Sequence, residues 1–167
     1  MPVLFSALVP PDDVVGAVAA ALDEPDGRLR WEPPQRWHVT LAYYGPDDVE
    51  TRGEWLARRL AGRPAPDVRL EKAATFPGVL WLTVAGSELA PLARAAGADA
   101  EARPYVPHLT LARFPREQPA LATRWTGKLA GFTSRHWQAT EVVLMTSERE
   151  PGGPRYRVAR TFELDRA

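Results

Sequence analysis

Two short motifs carry side chains that could do chemistry together. Residues 38–41 read His-Val-Thr-Leu and residues 108–111 read His-Leu-Thr-Leu, so the pattern His-x-Thr-x with apolar x residues occurs twice in the chain. In a β-strand, residues two apart project to the same face of the sheet. Each motif therefore predicts an imidazole beside a hydroxyl, on a strand whose alternate residues are anchored in the core.

The paired side chains suit a reaction at phosphorus if the two strands meet across a cleft. One imidazole can deprotonate water while the other protonates the departing alkoxide, because an imidazole with a pKa of about 6.5 exists in both forms near neutral pH. The hydroxyls of Thr40 and Thr110 can donate hydrogen bonds to phosphate oxygens as negative charge builds there. Such a site, built around His38 and His108, needs no metal ion and no cofactor.

One further candidate lies five residues after each motif histidine. Arg113 could hold a phosphate, and Tyr43 could stack on a nucleobase. Strict strand alternation puts both on the face opposite their histidine, so these assignments require a bulge or a bend at the strand end. We treat both as candidate substrate-binding residues.

The other histidine and the tryptophans fit structural interpretations. A single strand histidine is usually structural, and His136 lacks the neighbouring threonine, so we expect it to be a surface or packing residue. Trp55 and Trp81 lie on apolar faces of predicted elements and are expected in the core. No carboxylate or thiolate stands at ligand spacing near either motif histidine, so no metal site is predicted.

Composition limits the class of protein. The chain has 167 residues, no cysteine and a formal net charge of zero. It is long enough for one domain or two small lobes that share a core, and it lacks the overall positive charge of a general nucleic-acid binder, although a local arginine-lined RNA cleft remains open. The sequence shows no signal peptide and no apolar run of membrane-spanning length. We expect a soluble, cytoplasmic monomer with no membrane partner.

The elements that must position the two motifs follow from periodicity and from proline and glycine breaks. Strands and helices mix irregularly and tight turns join several strands, which favours an α+β fold with antiparallel sheets. A weak repeat of helix, loop, histidine strand, helix and strands indicates two similar lobes. The predicted strands are 4–10, 37–44, two within 67–86 on either side of a Pro77-Gly78 turn, 108–114, 140–148 and 155–164; the predicted helices are 12–22, 49–62, 89–98 and 117–124, and 26–36 is predicted as a loop.

The sequence resembles a known family over nearly its whole length. "HVTL" and "HLTL" are similar to the twin His-x-Thr-x signatures of the 2H phosphoesterase superfamily. The segments "LFSALVPPDDV", "RWEPPQRWHVTLAYYG", "TFPGVLWLTVAG", "RPYVPHLTLARF" and "GGPRYRVARTFEL" resemble, in order, the opening, first motif, central hairpin, second motif and closing strand of its RNA 2′,3′-cyclic phosphodiesterase branch, also called the 2′-5′ RNA ligase family.

The resemblance implies one 2H phosphoesterase domain over 1–167, with two pseudo-symmetric lobes around a central cleft, each contributing one motif strand. It implies metal-independent opening of a ribose 2′,3′-cyclic phosphate, at an RNA end or in a small nucleotide, to a 2′-phosphomonoester. By position, His38 becomes the acid on the leaving 3′ oxygen and His108 the base on water, with Thr40, Thr110, Arg113 and Tyr43 as substrate ligands. A noncatalytic RNA-end binder, or a phosphodiesterase acting on 2′-5′ linkages or on a cyclic-phosphate metabolite, are the alternatives.

Overall fold

The computed structural model describes residues 1–167 and contains nine strands and four α-helices. The strands are β1 (Val3–Leu8), β2 (Arg30–Trp31), β3 (Val39–Pro46), β4 (Asp67–Phe76), β5 (Val79–Ala85), β6 (His108–Arg113), β7 (Trp137–Gln138), β8 (Glu141–Glu150) and β9 (Gly153–Glu163). The helices are α1 (Asp12–Leu22), α2 (Val49–Leu60), α3 (Leu89–Ala95) and α4 (Ala120–Lys128).

The strands form two antiparallel sheets. The four-stranded sheet has the order β3-β1-β8-β9 and the five-stranded sheet the order β2-β6-β5-β4-β7. The first motif strand, β3, is an edge of one sheet, and the second motif strand, β6, lies in the other, where β2 covers its free side. The prediction of an α+β fold with two antiparallel lobes around a cleft is confirmed.

The helices pack on the sheets through their apolar faces. Val14, Val18 and Leu22 of α1 are buried, and so are Leu56 and Leu60 of α2. Helix α2 contacts β9 and helix α4 contacts β4, so each sheet is backed by a helix and its other face can form a cleft. None of the four helices has the length and apolar content needed to cross a membrane.

The observed elements differ from the sequence prediction at several places. The segment 26–36 is not all loop, because β2 pairs with Arg113 and Ala112 of β6 and a 3-10 turn follows at 34–36. The short strand β7 was not predicted. The fourth helix begins at Ala120 and not at 117, since Pro119 precedes its first turn, and the first motif strand runs through Gly45 and Pro46 instead of stopping before them.

The two motif strands are neighbours at the junction of the sheets. The hydroxyl of Tyr105, in the segment before β6, donates a hydrogen bond of 2.8 Å to the backbone carbonyl of Thr40 in β3. One continuous cluster of buried apolar residues includes Val39 and Leu41 from the first motif together with Leu109 and Leu111 from the second. The core therefore anchors both motifs at once.

Candidate active site

The two sheets enclose a cleft of about 620 Å³ lined by fifteen residues. All six candidate site residues lie on its wall, namely His38, Thr40, Tyr43, His108, Thr110 and Arg113. The remaining wall comes from the start of β1, from the segment between β2 and β3, and from the β8–β9 hairpin. The structure thus brings together, in one cleft, side chains from two distant regions of the sequence.

Both histidine rings are held by the same local hydrogen bond. Nδ1 of His38 lies 2.7 Å from the carbonyl oxygen of Arg36, and Nδ1 of His108 lies 2.8 Å from the carbonyl oxygen of Val106. A carbonyl can only accept, so Nδ1 carries a proton and donates in both cases. The neutral ring then has its lone pair on Nε2, the nitrogen that remains for proton transfer.

The Nε2 atoms differ in their surroundings. Nε2 of His38 lies 3.1 Å from the hydroxyl oxygen of Thr40, whose O–H donates to the neutral ring and whose oxygen accepts from the protonated one. Nε2 of His108 has no hydrogen-bond partner in the protein, although Thr110 lies on the same face of β6. His108 therefore offers its lone pair to a molecule in the cleft at no cost in protein hydrogen bonds.

Burial lowers the pKa of His38, because the protonated imidazole loses solvation in the cleft wall. The hydrogen bond to the Arg36 carbonyl and the negative charge of Glu32 act in the opposite direction, while the proximity of His108 adds to the lowering. The protein without ligand therefore favours the neutral form of His38 at neutral pH.

Each histidine is also packed between two aromatic rings. His38 contacts Phe5, with ring centroids 5.0 Å apart, and meets Tyr156 edge-on at 5.3 Å. His108 is flanked by Phe76 at 5.3 Å and Trp81 at 5.7 Å. Trp81 is buried, as predicted, but its ring also supports a cleft residue, and the repeat of aromatic neighbours makes the two half-sites similar beyond the motifs themselves.

A β-bulge follows the first motif and turns Tyr43 into the cleft. In the pairing of β1 with β3, Ala7 is opposite Thr40 and Ser6 is opposite Ala42, so Leu41 has no partner of its own. The extra residue reverses the alternation, and Tyr43 joins the face that carries Thr40. The residue is 57% exposed at the cleft wall.

The same irregularity follows the second motif. In the pairing of β5 with β6, Trp81 is opposite Thr110 and Leu80 is opposite Ala112, which leaves Leu111 as the additional residue. Arg113 is consequently returned to the cleft face. A sequence signal exists in both places, because Leu41-Ala42 and Leu111-Ala112 are consecutive apolar residues and both pairs are fully buried.

Sequence reasoning missed five polar residues of the cleft wall, which are Glu32, Arg36, Ser147, Arg149 and Tyr156. Glu32 and Arg36 form an ion pair of 2.9 Å, and Tyr156 lies against His38. Nη1 of Arg36 also donates to the carbonyl of Pro154 at 3.1 Å, which ties the segment before β3 to the β8–β9 hairpin. The only signal for the ion pair was the four-residue spacing of a glutamate and an arginine in a stretch predicted to be loop.

The remaining polar candidates lie elsewhere. His136 contacts Arg69 outside the cleft, in agreement with a surface or packing residue. Arg155 pairs with Glu150, while the neighbouring Arg149 is the arginine of the hairpin that lines the cleft. The chain contains no group of three or more His, Asp or Glu side chains arranged to hold a metal ion.

Known proteins match nearly the whole chain. The model of the 2'-5' RNA ligase superfamily matches residues 10–151. The chain is 30% identical over 174 residues to a protein named RNA 2',3'-cyclic phosphodiesterase of Methanothermobacter thermautotrophicus, with 91% of each protein covered. The fold is similar to a crystal structure from Thermus thermophilus, with a TM-score of 0.75, 26% identity and coverage of 96% and 97% of the two chains. It is also similar to E. coli LigT crystallised with ATP, with a TM-score of 0.71, 21% identity and 98% of both chains covered.

Proposed function

This chain belongs to the 2'-5' RNA ligase superfamily and is a phosphoesterase of the 2H family, and from that premise we propose that it hydrolyses ribose 2′,3′-cyclic phosphates to 2′-phosphomonoesters. The substrate is the cyclic phosphate at an RNA end or in a small nucleotide. One observation carries the proposal: the imidazoles and hydroxyls of both motifs line a single cleft. The name of the Methanothermobacter relative supports the same substrate class.

In the proposed reaction, His108 accepts a proton from water and His38 donates a proton to the leaving 3′ oxygen. Water adds its oxygen to phosphorus, the bond between phosphorus and O3′ breaks, and the phosphate remains on O2′. The free Nε2 of His108 supports its role as the base. His38 favours the neutral form before substrate binds, and the anionic phosphate then stabilises the imidazolium that the acid step requires.

The other cleft residues bind and orient the phosphate and the base in this proposal. Thr40 and Thr110 donate hydrogen bonds to non-bridging oxygens, and Thr40 is released from His38 Nε2 when that nitrogen turns to the substrate. The forked guanidinium of Arg113 balances the phosphate charge. Tyr43, exposed at the edge of the cleft, provides a ring on which a nucleobase stacks.

The proposed chemistry requires no metal ion. The positive charge that opposes the phosphate comes from the imidazolium of His38 and from Arg113. We therefore expect hydrolysis to continue at an unchanged rate when a chelator such as EDTA is present.

The decisive experiment measures hydrolysis of 2′,3′-cyclic AMP by the wild type, His38→Ala and His108→Ala, with product regiochemistry read by phosphorus NMR. Each substitution should lower kcat by at least about 10²-fold, because each removes one partner of the proton transfer. His136→Ala is the matched control and should retain the wild-type rate, since His136 lies outside the cleft.

Near-normal rates in both cleft variants would overturn the proposal, and so would a strict requirement for a divalent metal. If the wild type binds 2′-AMP tightly but releases no product from the cyclic nucleotide, the chain is an RNA-end binder instead. If the wild type hydrolyses 2′-5′-linked dinucleotides but not cyclic phosphates, the chain is a phosphodiesterase acting on 2′-5′ linkages instead.

A further inference from the structure

Glu32 is the one acidic side chain among the residues that line the cleft. Its side chain is only 18% exposed. It directly follows β2, and its backbone N–H donates at 2.8 Å to the carbonyl of Leu111, the bulge residue of β6. The carboxylate is therefore held beside the second motif by backbone pairing, in a cleft whose other charged side chains are cationic.

The two oxygens of the Glu32 carboxylate face two different arginines. Oε2 accepts from Nε of Arg36 at 2.9 Å, whereas Oε1 lies 3.9 Å from Nε of Arg113, which is too long for a hydrogen bond. Arg36 is in turn fixed to the hairpin through the carbonyl of Pro154. Glu32 thus pairs with one arginine and weakens the field of the arginine placed to bind phosphate.

The charge of Glu32 also reaches the centre of the cleft. Burial lowers the pKa of His38 and raises the pKa of Tyr156, and in both cases the negative charge of Glu32 contributes an upward effect. The ionisable groups that surround the carboxylate are Arg36 from its own segment, Arg113 from β6, His38 before β3 and Tyr156 from β9, with His108 beyond them. A phosphate bound near the histidines lies in the same field.

Substrate and product of the proposed reaction differ by one charge near neutral pH. A cyclic phosphodiester is a monoanion at every pH of interest, whereas a phosphomonoester loses its second proton with a pKa of about 6 and becomes a dianion. A fixed carboxylate repels a dianion more strongly than a monoanion. A cleft of arginines alone would instead bind the product more tightly than the substrate.

We propose that Glu32 makes the cleft discriminate against phosphomonoester dianions and so promotes release of the product. The inference rests on the proposed function, because it names the charge state that the same site selects. Glu32 acts as a specificity-determining residue and takes no part in proton transfer.

The test compares binding of 2′-AMP and of adenosine 2′-methylphosphate by calorimetry at pH 5.0 and 7.5. The methyl ester keeps a single negative charge at both pH values, whereas 2′-AMP changes from monoanion to dianion. Glu32→Gln keeps the shape and an acceptor for Arg36, and it should tighten 2′-AMP binding at pH 7.5 by about fivefold or more while changing binding of the methyl ester much less. The difference between the two ligands should largely disappear at pH 5.0.

The sign of the change separates charge from structural damage, because damage to the cleft would weaken binding of both ligands whereas Glu32→Gln should tighten binding of 2′-AMP. Glu71→Gln is the matched control, because Glu71 also pairs with an arginine, Arg69 at 3.1 Å, but lies outside the cleft. It should leave both ligands unaffected.

The inference is overturned if Glu32→Gln weakens or does not alter 2′-AMP binding at pH 7.5, or tightens both ligands equally. Because calorimetry needs no turnover, this result is independent of the hydrolysis assay. If the wild type hydrolyses 2′,3′-cyclic AMP but Glu32→Gln leaves binding of 2′-AMP unchanged, only the role of Glu32 is rejected. If the wild type does not hydrolyse 2′,3′-cyclic AMP, the proposed function itself is rejected.

Discussion

The two cleft histidines are oriented by the same kind of hydrogen bond but have different environments. Backbone carbonyls two residues upstream hold Nδ1 of both His38 and His108, so both rings present Nε2 to the cleft. Only His38 has a hydroxyl on that nitrogen, and burial lowers the pKa of His38. The symmetry of the two sequence motifs is thus broken at the level of single atoms.

The downward shift of the His38 pKa can be measured directly. In a histidine NMR titration of the free protein, the midpoint of His38 should lie below about 6.5, because burial favours the neutral ring. Addition of 2′-AMP should raise that midpoint, since the phosphate charge stabilises the imidazolium. The signal is assigned by its loss in His38→Ala, and a midpoint at or above 6.5 in the free protein would contradict the effect of burial.

Tyr43 offers a second test at the scale of one side chain. Tyr43 is 57% exposed, so Tyr43→Ala removes little packing from the fold. We expect a rise of about tenfold in KM for 2′,3′-cyclic AMP with kcat nearly unchanged, because stacking on a base contributes about 1–3 kcal/mol to binding. Tyr43→Phe keeps the ring and should behave as the wild type; an equal loss in both variants would assign the effect to the hydroxyl instead.

At the scale of the strand, the recurring bulge is the feature that completes the site. Leu41 and Leu111 are each the extra residue after a His-x-Thr segment, and each returns the residue two positions later to the cleft. A regular strand would have directed Tyr43 and Arg113 away from the cleft. The bulge therefore converts a two-residue motif into a three-residue one on each side of the cleft.

The hydrogen bond between the two motif segments predicts that their relative position affects the rate of hydrolysis. Tyr105→Phe removes the hydroxyl that donates to the Thr40 carbonyl and should lower the free energy of unfolding by about 1 kcal/mol. It should also lower kcat, because this bond links the segment before His108 to the strand that carries Thr40. The measurements are chemical denaturation and steady-state hydrolysis.

Tyr44→Phe is the matched control for that experiment. The Tyr44 hydroxyl also donates to a backbone carbonyl, that of Ala96 at 2.7 Å, but the residue lies outside the cleft wall. We expect a loss of stability at least as large, because the substitution also leaves the buried Ser6 hydroxyl without its partner at 2.8 Å, but with kcat retained. An equal fall in kcat for both variants would show that general destabilisation, and not the link between the motifs, controls the rate.

For the molecule as a whole, the two lobes share one core. The main cluster of buried apolar residues has 37 members and includes side chains from both sheets and all four helices. We therefore propose that residues 1–167 form a single cooperative domain despite the two-lobed architecture. A linker without buried residues, which would separate two folding units, is not seen between the sheets.

The single-domain proposal predicts one unfolding transition. Calorimetric and van't Hoff enthalpies should agree, and circular dichroism and tryptophan fluorescence should report the same midpoint, because opening one sheet exposes the core of the other. Two resolved transitions, or probes with different midpoints, would indicate lobes that unfold independently.

The sequence by itself determined that each motif histidine and its threonine lie on the same face of a strand, and it determined the α+β character of the chain. Both depend on short-range alternation and on proline and glycine breaks, which are local properties of the backbone. Strand 37–44 and strand 108–114 were consequently predicted within a few residues of their observed positions.

Only the tertiary structure decided which side chains complete the cleft. The bulges at Leu41 and Leu111 depend on the register with β1 and β5, and the approach of Glu32 depends on the pairing of β2 with β6. Tyr156 reaches His38 from a strand more than a hundred residues later in the chain. Strand register and long-range pairing are properties of the assembled sheets, so the apolar pairs at 41–42 and 111–112 are compatible with a bulge but could not fix its position.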